Sequence, residues 1–151
     1  MAAGWRIVPA SRADDAFVGQ GAKLFGGRWN SAGFAVVYGS QHKSLGALEQ
    51  LVHLNSRLTN SFKAFSFHFP DSLIDIVSAD SLPENWRQEP PPVSTQQFGD
   101  IWISQARSAV LAVPSIIIPE ELNYLINPAH ADFRKITIKA SQDFVFDPRL
   151  L

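Results

Sequence analysis

Three side chains in the first third of the chain are of types that act on phosphates or glycosidic bonds. Arg28 lies in Gly26-Gly27-Arg28-Trp29-Asn30. Glycines let a backbone approach a ligand closely, and a guanidinium is a planar fork of donors suited to phosphate. No Gly-Lys-Ser/Thr ending follows, so the segment is not a P-loop. Glu49 falls one turn after Leu45 and three residues before Val52, at the border of an apolar helical stripe. A half-buried carboxylate facing a cleft is costly unless it is paired or used. Beside a glycosidic bond it stabilises an oxocarbenium-like transition state. Tyr38 ends a compact apolar run, where a side chain emerges from a strand into a cleft. Each residue also has an ordinary reading: a solvated turn arginine, a half-solvated helix carboxylate, and a core tyrosine with its hydroxyl at the surface.

Other candidates are weaker alone. Trp29 either stacks on a ligand or packs its loop down. Ser115 follows Val113-Pro114 at a strand end, lacks a Gly-x-Ser-x-Gly elbow, and suits an ordinary turn equally well. His130 sits in Asn127-Pro128-Ala129-His130, a loop able to line a pocket or simply to turn. His42, His53, His68 and His130 form no His-Glu-x-x-His pair and the chain has no cysteine, so no metal is expected.

The elements that must position these residues are short. Residues 5–8 read as a strand stopped by Pro9, and 19–33 as a loop with five glycines. Residues 34–38 fit a buried strand. Ser40 or Ser44 is expected to cap a helix running to about Asn55, with Leu45, Leu48, Leu51 and Val52 at helical spacing. Residues 63–69 alternate, with Phe65, Phe67 and Phe69 on one face and Ser66 and His68 on the other. A strand at 73–77 and a proline-rich surface loop over 82–93 follow. Thr95 is the expected cap of a helix over 95–107, with Phe98, Ile101, Trp102 and Gln105 at helical spacing. Residues 109–113 read as a strand, 120–125 as one short turn of helix, and 136–138 and 144–146 as closing strands. Interspersed short strands and helices predict an α+β domain, with no internal repeat and no dividing linker over residues 1–151.

Composition narrows the function classes. Of 151 residues, 46 % are hydrophobic and 18 % charged, which suits one packed domain rather than a disordered chain. The net charge of -1 gives no reason to expect nucleic acid as the primary ligand. The N-terminus lacks the basic and apolar regions of a secretory signal, and no apolar run approaches membrane-spanning length. The expected location is the cytoplasm, with no membrane partner.

Taken in order, these segments resemble the RES-domain toxins of bacterial toxin–antitoxin pairs, a family named for an arginine, a glutamate and a serine. The resemblance begins at Trp5-Arg6 and is strongest at Gly27-Arg28-Trp29-Asn30, Val37-Tyr38-Gly39-Ser40 and Ala47-Leu48-Glu49. It continues through Ala112-Val113-Pro114-Ser115 and Asn127-Pro128-x-His130; Ala131 stands where many relatives have proline. The resemblance implies an ADP-ribosyltransferase-like core, a split and twisted mixed sheet with surrounding helices, as a single RES domain over 1–151. It implies NAD⁺ as substrate, cleaved at the nicotinamide–ribose bond with no metal, and water, phosphate or a protein side chain as acceptor. Arg28, Tyr38 and Glu49 are then the catalytic centre. Trp29, Ser115, Asn127 and His130 complete the substrate pocket. The implied partner is a cognate antitoxin with an Xre-type helix-turn-helix that blocks the cleft, with DNA reached only through that antitoxin. A protein target of ADP-ribosylation is the alternative acceptor, and a catalytically inactive interaction module is the lesser alternative. A ribonuclease ranks last, because the chain is not basic and shows no cluster arranged for phosphodiester cleavage.

Overall fold

In the computed structural model, which describes residues 1–54 and 61–150, the chain forms strands β1 (Ala2–Pro9), β2 (Val37–Ser40), β3 (Phe62–Phe69), β4 (Ile74–Ile76), β5 (Val110–Pro114), β6 (Leu122–Ile126), β7 (Thr137–Ile138) and β8 (Gln142–Phe144). The helices are α1 (Gln20–Phe25), α2 (Lys43–Val52) and α3 (Val93–Gln105). The strands make one mixed sheet in the order β4-β5-β6-β2-β1-β3-β7, with β8 also pairing β3. Among the described residues only β4 and β5 run parallel; the other pairs are antiparallel. The α+β class expected from the sequence is the one observed. Among the described residues no helix is long and apolar enough to cross a membrane.

The pairing is uneven. β1 and β3 pair along their whole length, from Ala2 opposite Phe69 to Pro9 opposite Phe62. β1 and β2 share one pair, Trp5 opposite Ser40. The sheet is therefore two well-paired parts, β4-β5-β6-β2 and β1-β3-β7, joined at a narrow seam. Both faces are covered. Val37, Phe67, Phe69, Val110, Ala112 and Ile126 share one core cluster. Trp29, Trp102, Val113 and Leu125 form a second under α3. Ile7, Phe62, Ala64 and Phe146 form a third, against which Ala47 and Leu51 of α2 pack. β3 thus buries Phe62 and Ala64 on one face and Phe67 and Phe69 on the other, so its alternation changes sides midway.

Several local expectations shift. The glycine-rich segment contains α1, bounded by Gly19 at φ 76° and Gly26 at φ 73°, a left-handed range that disfavours other residues. β2 begins later than residue 34 because its partner β6 pairs it from Val37 to Ser40. Neither Ser40 nor Ser44 caps α2: Ser40 belongs to β2, Ser44 lies inside the helix, and His42 stands at the cap position without a side-chain cap bond. The end expected at Asn55 lies outside the described residues. Thr95 does not cap α3 either; it is buried in the first turn and its hydroxyl donates back to the Pro92 carbonyl at 3.0 Å. The buried stripe of α3 is Thr95, Gly99 and Trp102, whereas Ile101 is 51 % exposed. Residues 122–126 are a strand where a helical turn was expected, because β5 and β2 flank the segment and pair with it on both sides.

α3 approaches the Arg28 loop closely. A Cβ on Gly99 would stand 1.6 Å from the Trp29 carbonyl oxygen. Asp100 accepts from the Ser31 amide at 2.9 Å and from the Ser31 hydroxyl, and Gln96 donates to the Gly27 carbonyl at 3.1 Å. Gly→Ala in an exposed helix interior usually stabilises by about 1 kcal/mol. Here Gly99→Ala is expected to destabilise by about 3 kcal/mol through backbone overpacking. Urea unfolding measures it, and a stabilised variant would mean that α3 retreats freely from the loop.

Candidate active site

Past Trp5 and Ser40 the two strands part, and a cleft of about 950 Å³ opens there, lined by Arg6, Arg12, Arg28, Tyr38, Glu49 and Asn123 among others. Its volume lies in the range of small-molecule and cofactor sites. Arg6 of β1 bridges the parting strands. Its guanidinium donates to the Tyr38 carbonyl at 2.7 Å and to the Ala16 carbonyl at 2.7 Å. Burial draws it down from the usual arginine value to about 10, with nearby Arg12 acting in the same direction and Asp15 opposing. It stays charged at neutral pH. No carboxylate lies within ion-pairing distance of it among the described residues. A cation lining a cleft without an ion-pair partner keeps charge to offer an anion.

Tyr38 joins the cleft to the loop that carries Arg28. Its hydroxyl donates to Asn30 Oδ1 at 2.6 Å and accepts from the Trp29 amide at 3.1 Å. Asn30 is fully buried, and its Nδ2 donates to the carbonyls of Ala22, Ser31 and Phe34 at 2.9–3.2 Å. One asparagine thus gathers three turns of the loop, and Tyr38 locks that asparagine. Burial pushes the Tyr38 hydroxyl well above the usual tyrosine range. Both of its hydrogen-bonding roles are already used, so the group it offers a ligand is its ring.

Arg28 is brought to the cleft but is occupied. It donates to the Trp86 and Gln88 carbonyls at 3.2 and 2.6 Å and pairs with the Glu89 carboxylate. Its side chain is 12 % exposed and that of Glu89 67 %. Partly exposed pairs of this kind are weak. An anionic ligand competes with Glu89 for the same fork.

Glu49 projects from α2 to the cleft wall. Its Oε2 accepts from the Ser115 hydroxyl at 3.1 Å and from the Asn123 amide. The Ser115 hydroxyl itself accepts from the Ile117 and Ile118 amides at 3.0 and 3.2 Å, so its one proton is directed to Glu49. Oε1 has no donor among the described residues. Ser115 is fully buried and supports Glu49 from behind rather than facing the cleft.

The remaining candidates divide. Trp29 is 3 % exposed and its ring packs edge-on to Phe98 at 5.8 Å. It borders the cleft, but that ring belongs to the core under α3. Asn127 and His130 do not line the cleft. Asn127 lies four residues along from Asn123, about 13 Å at strand rise. Its Oδ1 accepts from the Ala129 amide at 3.0 Å, and its own amide nitrogen donates to the Ala109 carbonyl at 2.9 Å. His130 accepts from the Asp132 amide at 2.9 Å and its other ring nitrogen meets the Ala106 carbonyl at 3.0 Å. Both hold a corner at the opposite end of β6. Sequence reasoning met Arg6 and Asn30 only as members of matching segments, and passed over Arg12 and Asn123. Asparagine inside an apolar strand was the signal for Asn123, hidden once 120–125 was read as helical.

Comparisons with known proteins agree on one relationship. The model of the RES domain family matches residues 3–147. The chain is 40 % identical to a protein named Prs ADP-ribosylating toxin from Sphingobium sp. (strain YBL2), over 97 % of this chain and 95 % of that protein. It is 38 % identical to Toxin Res of Yersinia enterocolitica serotype O:8 / biotype 1B, over 97 % of each chain. The crystal structure of the M. tuberculosis MbcT-MbcA toxin–antitoxin complex holds a chain of the same fold, with a TM-score of 0.77 at 17 % identity, covering 95 % of this chain and 84 % of that one.

Tyr38 and Tyr124, the chain's two tyrosines, both have hydroxyls pushed above the usual value by burial. The folded state therefore favours the protonated phenol, while an unfolded tyrosine ionises at about pH 10. Their contribution to stability is intact below about pH 10 and is lost as pH rises above it. Phenolate absorbance is expected to stay flat through that pH while circular dichroism remains native, then to rise with alkaline unfolding. A one-tyrosine rise at the ordinary pH in folded protein would contradict the closed environment of these hydroxyls.

Proposed function

The chain belongs to the RES domain family, and from that membership we propose that it is the toxin of a toxin–antitoxin pair whose cleft cleaves the nicotinamide–ribose bond of NAD⁺. The observation that carries the reading is the Glu49 carboxylate, anchored through one oxygen at the wall of a cleft that three arginines also line. Nicotinamide leaves as a neutral molecule from a cation, so no general acid is needed for it. What the reaction needs is a held dinucleotide and negative charge beside the ribose as it becomes an oxocarbenium ion. Glu49 Oε1 meets the ribose hydroxyls and offsets the developing charge. Arg6 and Arg12 take the diphosphate, and Arg28 joins them when the substrate displaces Glu89. The ring of Tyr38 forms part of the wall against which the nicotinamide end rests, while its hydroxyl keeps the Arg28 loop in place.

Transfer of ADP-ribose to a protein side chain is the second reading, favoured by the name of the Sphingobium relative. Both reactions use the same cleft and differ in the acceptor. The proposed partner is an Xre-type helix-turn-helix antitoxin that covers the cleft and alone contacts DNA; the similarity to a toxin chain solved with its antitoxin supports a partner of this kind. The proposed location is the cytoplasm, where NAD⁺ is available.

Glu49→Gln keeps the shape of the side chain and removes its charge. It is expected to slow nicotinamide release by about 100-fold or more. Arg6→Met is expected to raise the KM for NAD⁺ more than it lowers kcat, as loss of ground-state binding does. Following nicotinamide and ADP-ribose by liquid chromatography tests both variants, and wild-type rates from folded Glu49→Gln would sink the assignment. Incubating labelled NAD⁺ with a cell extract separates the acceptors: labelled protein bands mean transfer, and free ADP-ribose means hydrolysis.

A further inference from the structure

Asn123 has no role in the reaction as described so far, yet it touches Glu49 directly and lines the cleft. We infer that Asn123, held in turn by Ser40, is a positioning residue that decides which oxygen of Glu49 faces the substrate. This inference rests on the NAD⁺-cleaving reading of the cleft.

The argument begins with freedom. Glu49 sits on a long side chain with three rotatable bonds, on a helix that belongs to neither strand beside it. A single hydrogen bond from Ser115 would let the carboxylate pivot about Oε2. A second donor from another strand removes that pivot. Asn123 supplies it from β6, where its backbone is paired on both sides, with Ser40 of β2 and Val113 of β5.

The amide orientation is fixed as well. Asn123 Oδ1 accepts from the Ser40 hydroxyl at 2.7 Å, and Ser40 is 3 % exposed. An ionised carboxylate only accepts, so the face of the amide turned to Glu49 must be Nδ2. The order Ser40, Asn123, Glu49 therefore runs in one direction only, donor to acceptor at each step. Asparagine is a poor strand former. Its presence between Leu122 and Tyr124 in a paired strand is explained by these two side-chain bonds. The result is an asymmetric carboxylate: Oε2 is held by two donors, and Oε1 has none among the described residues.

The test uses the full chain and three variants: Asn123→Ala, Ser40→Ala and the double variant. Asn123→Ala is expected to lower kcat for nicotinamide release by about 10- to 100-fold, as misplacement of a reacting group does, with KM for NAD⁺ little changed. Ser40→Ala is expected to lower kcat less, and the double variant to be no worse than Asn123→Ala, because the two act as one unit. Wild-type kcat in folded Asn123→Ala overturns the inference, and so do losses that multiply in the double variant. Should Asn123→Ala fail to fold, Ser40→Ala, which leaves Asn123 in place, decides by the same kcat criterion. Crystal structures of the variants give a readout independent of turnover: a displaced Glu49 carboxylate upholds the role, and an unmoved one overturns it. A wild-type chain that releases no nicotinamide instead defeats the proposed reaction, and these structures then judge the positioning role separately.

Discussion

Beyond Trp5 and Ser40 the backbones of β1 and β2 part, and the polar groups they expose must find partners other than each other. The seam is crowded from the core side. A Cβ on Gly4 of β1 would stand 2.6 Å from the Phe67 ring, and one on Gly39 of β2 would stand 3.0 Å from it. Phe67 thus occupies the space that two ordinary residues at the seam would need, and larger residues there would collide with a ring in the centre of the core. From this one constraint the site follows. The Arg6 guanidinium spans the gap to the Tyr38 carbonyl, which places a half-buried cation in the cleft wall. Ser40, the last paired residue, turns its hydroxyl to Asn123 instead of capping α2. α2 starts just beyond the seam and carries Glu49 to its edge.

A second set of contacts supports the cleft from the other side. The Arg28 loop has few apolar residues to hold it, and its order comes from polar groups removed from water. Asn30 gathers three carbonyls, Tyr38 locks Asn30, and α3 presses on the loop at Gly99 and binds it through Gln96 and Asp100. Buried polar groups satisfied in this way specify one arrangement, because leaving any of them unpaired costs about 1–3 kcal/mol. The same residues that shape the cleft therefore fix the loop. Trp29 belongs to the support and Arg28 to the cleft, although they are neighbours in sequence.

The sequence was most legible where one physical signal dominated. The apolar run of β5 and the border position of Glu49 depend on local periodicity and are realised; the alternation of β3 holds at Phe67 and Phe69 but changes sides toward Ala64 and Phe62. The failures lie where distant partners decide. β6 is short, contains Asn123 beside its apolar residues and follows directly on Glu121, so its own pattern is ambiguous; β5 and β2 impose the strand. With β6 misread, Asn123 had no reason to be noticed. Ser44 and Thr95 have the chemistry of caps, but the cap positions are His42 and Pro92, two residues before Ser44 and three before Thr95. Asn127 and His130 were expected in the pocket from the family resemblance, and His130 also because its loop could line one. Which end of β6 faces the cleft depends on pairing that no local pattern contains. Residue types and the family resemblance nominated the trio of Arg28, Tyr38 and Glu49, but neither could reveal that Arg28 would be tied to Glu89 or that the Tyr38 hydroxyl would be committed to Asn30.

The two donors to Glu49 lie 66 and 74 residues farther along the chain. Contacts of such separation form only after the intervening chain has been made and folded around them. A ribosome that has synthesised α2 has made the carboxylate but neither of its anchors. A product that stops short of β6 lacks Asn123, and with it one side of the cleft wall. The Glu49 carboxylate thus acquires its two anchors only once the chain has been made through β6.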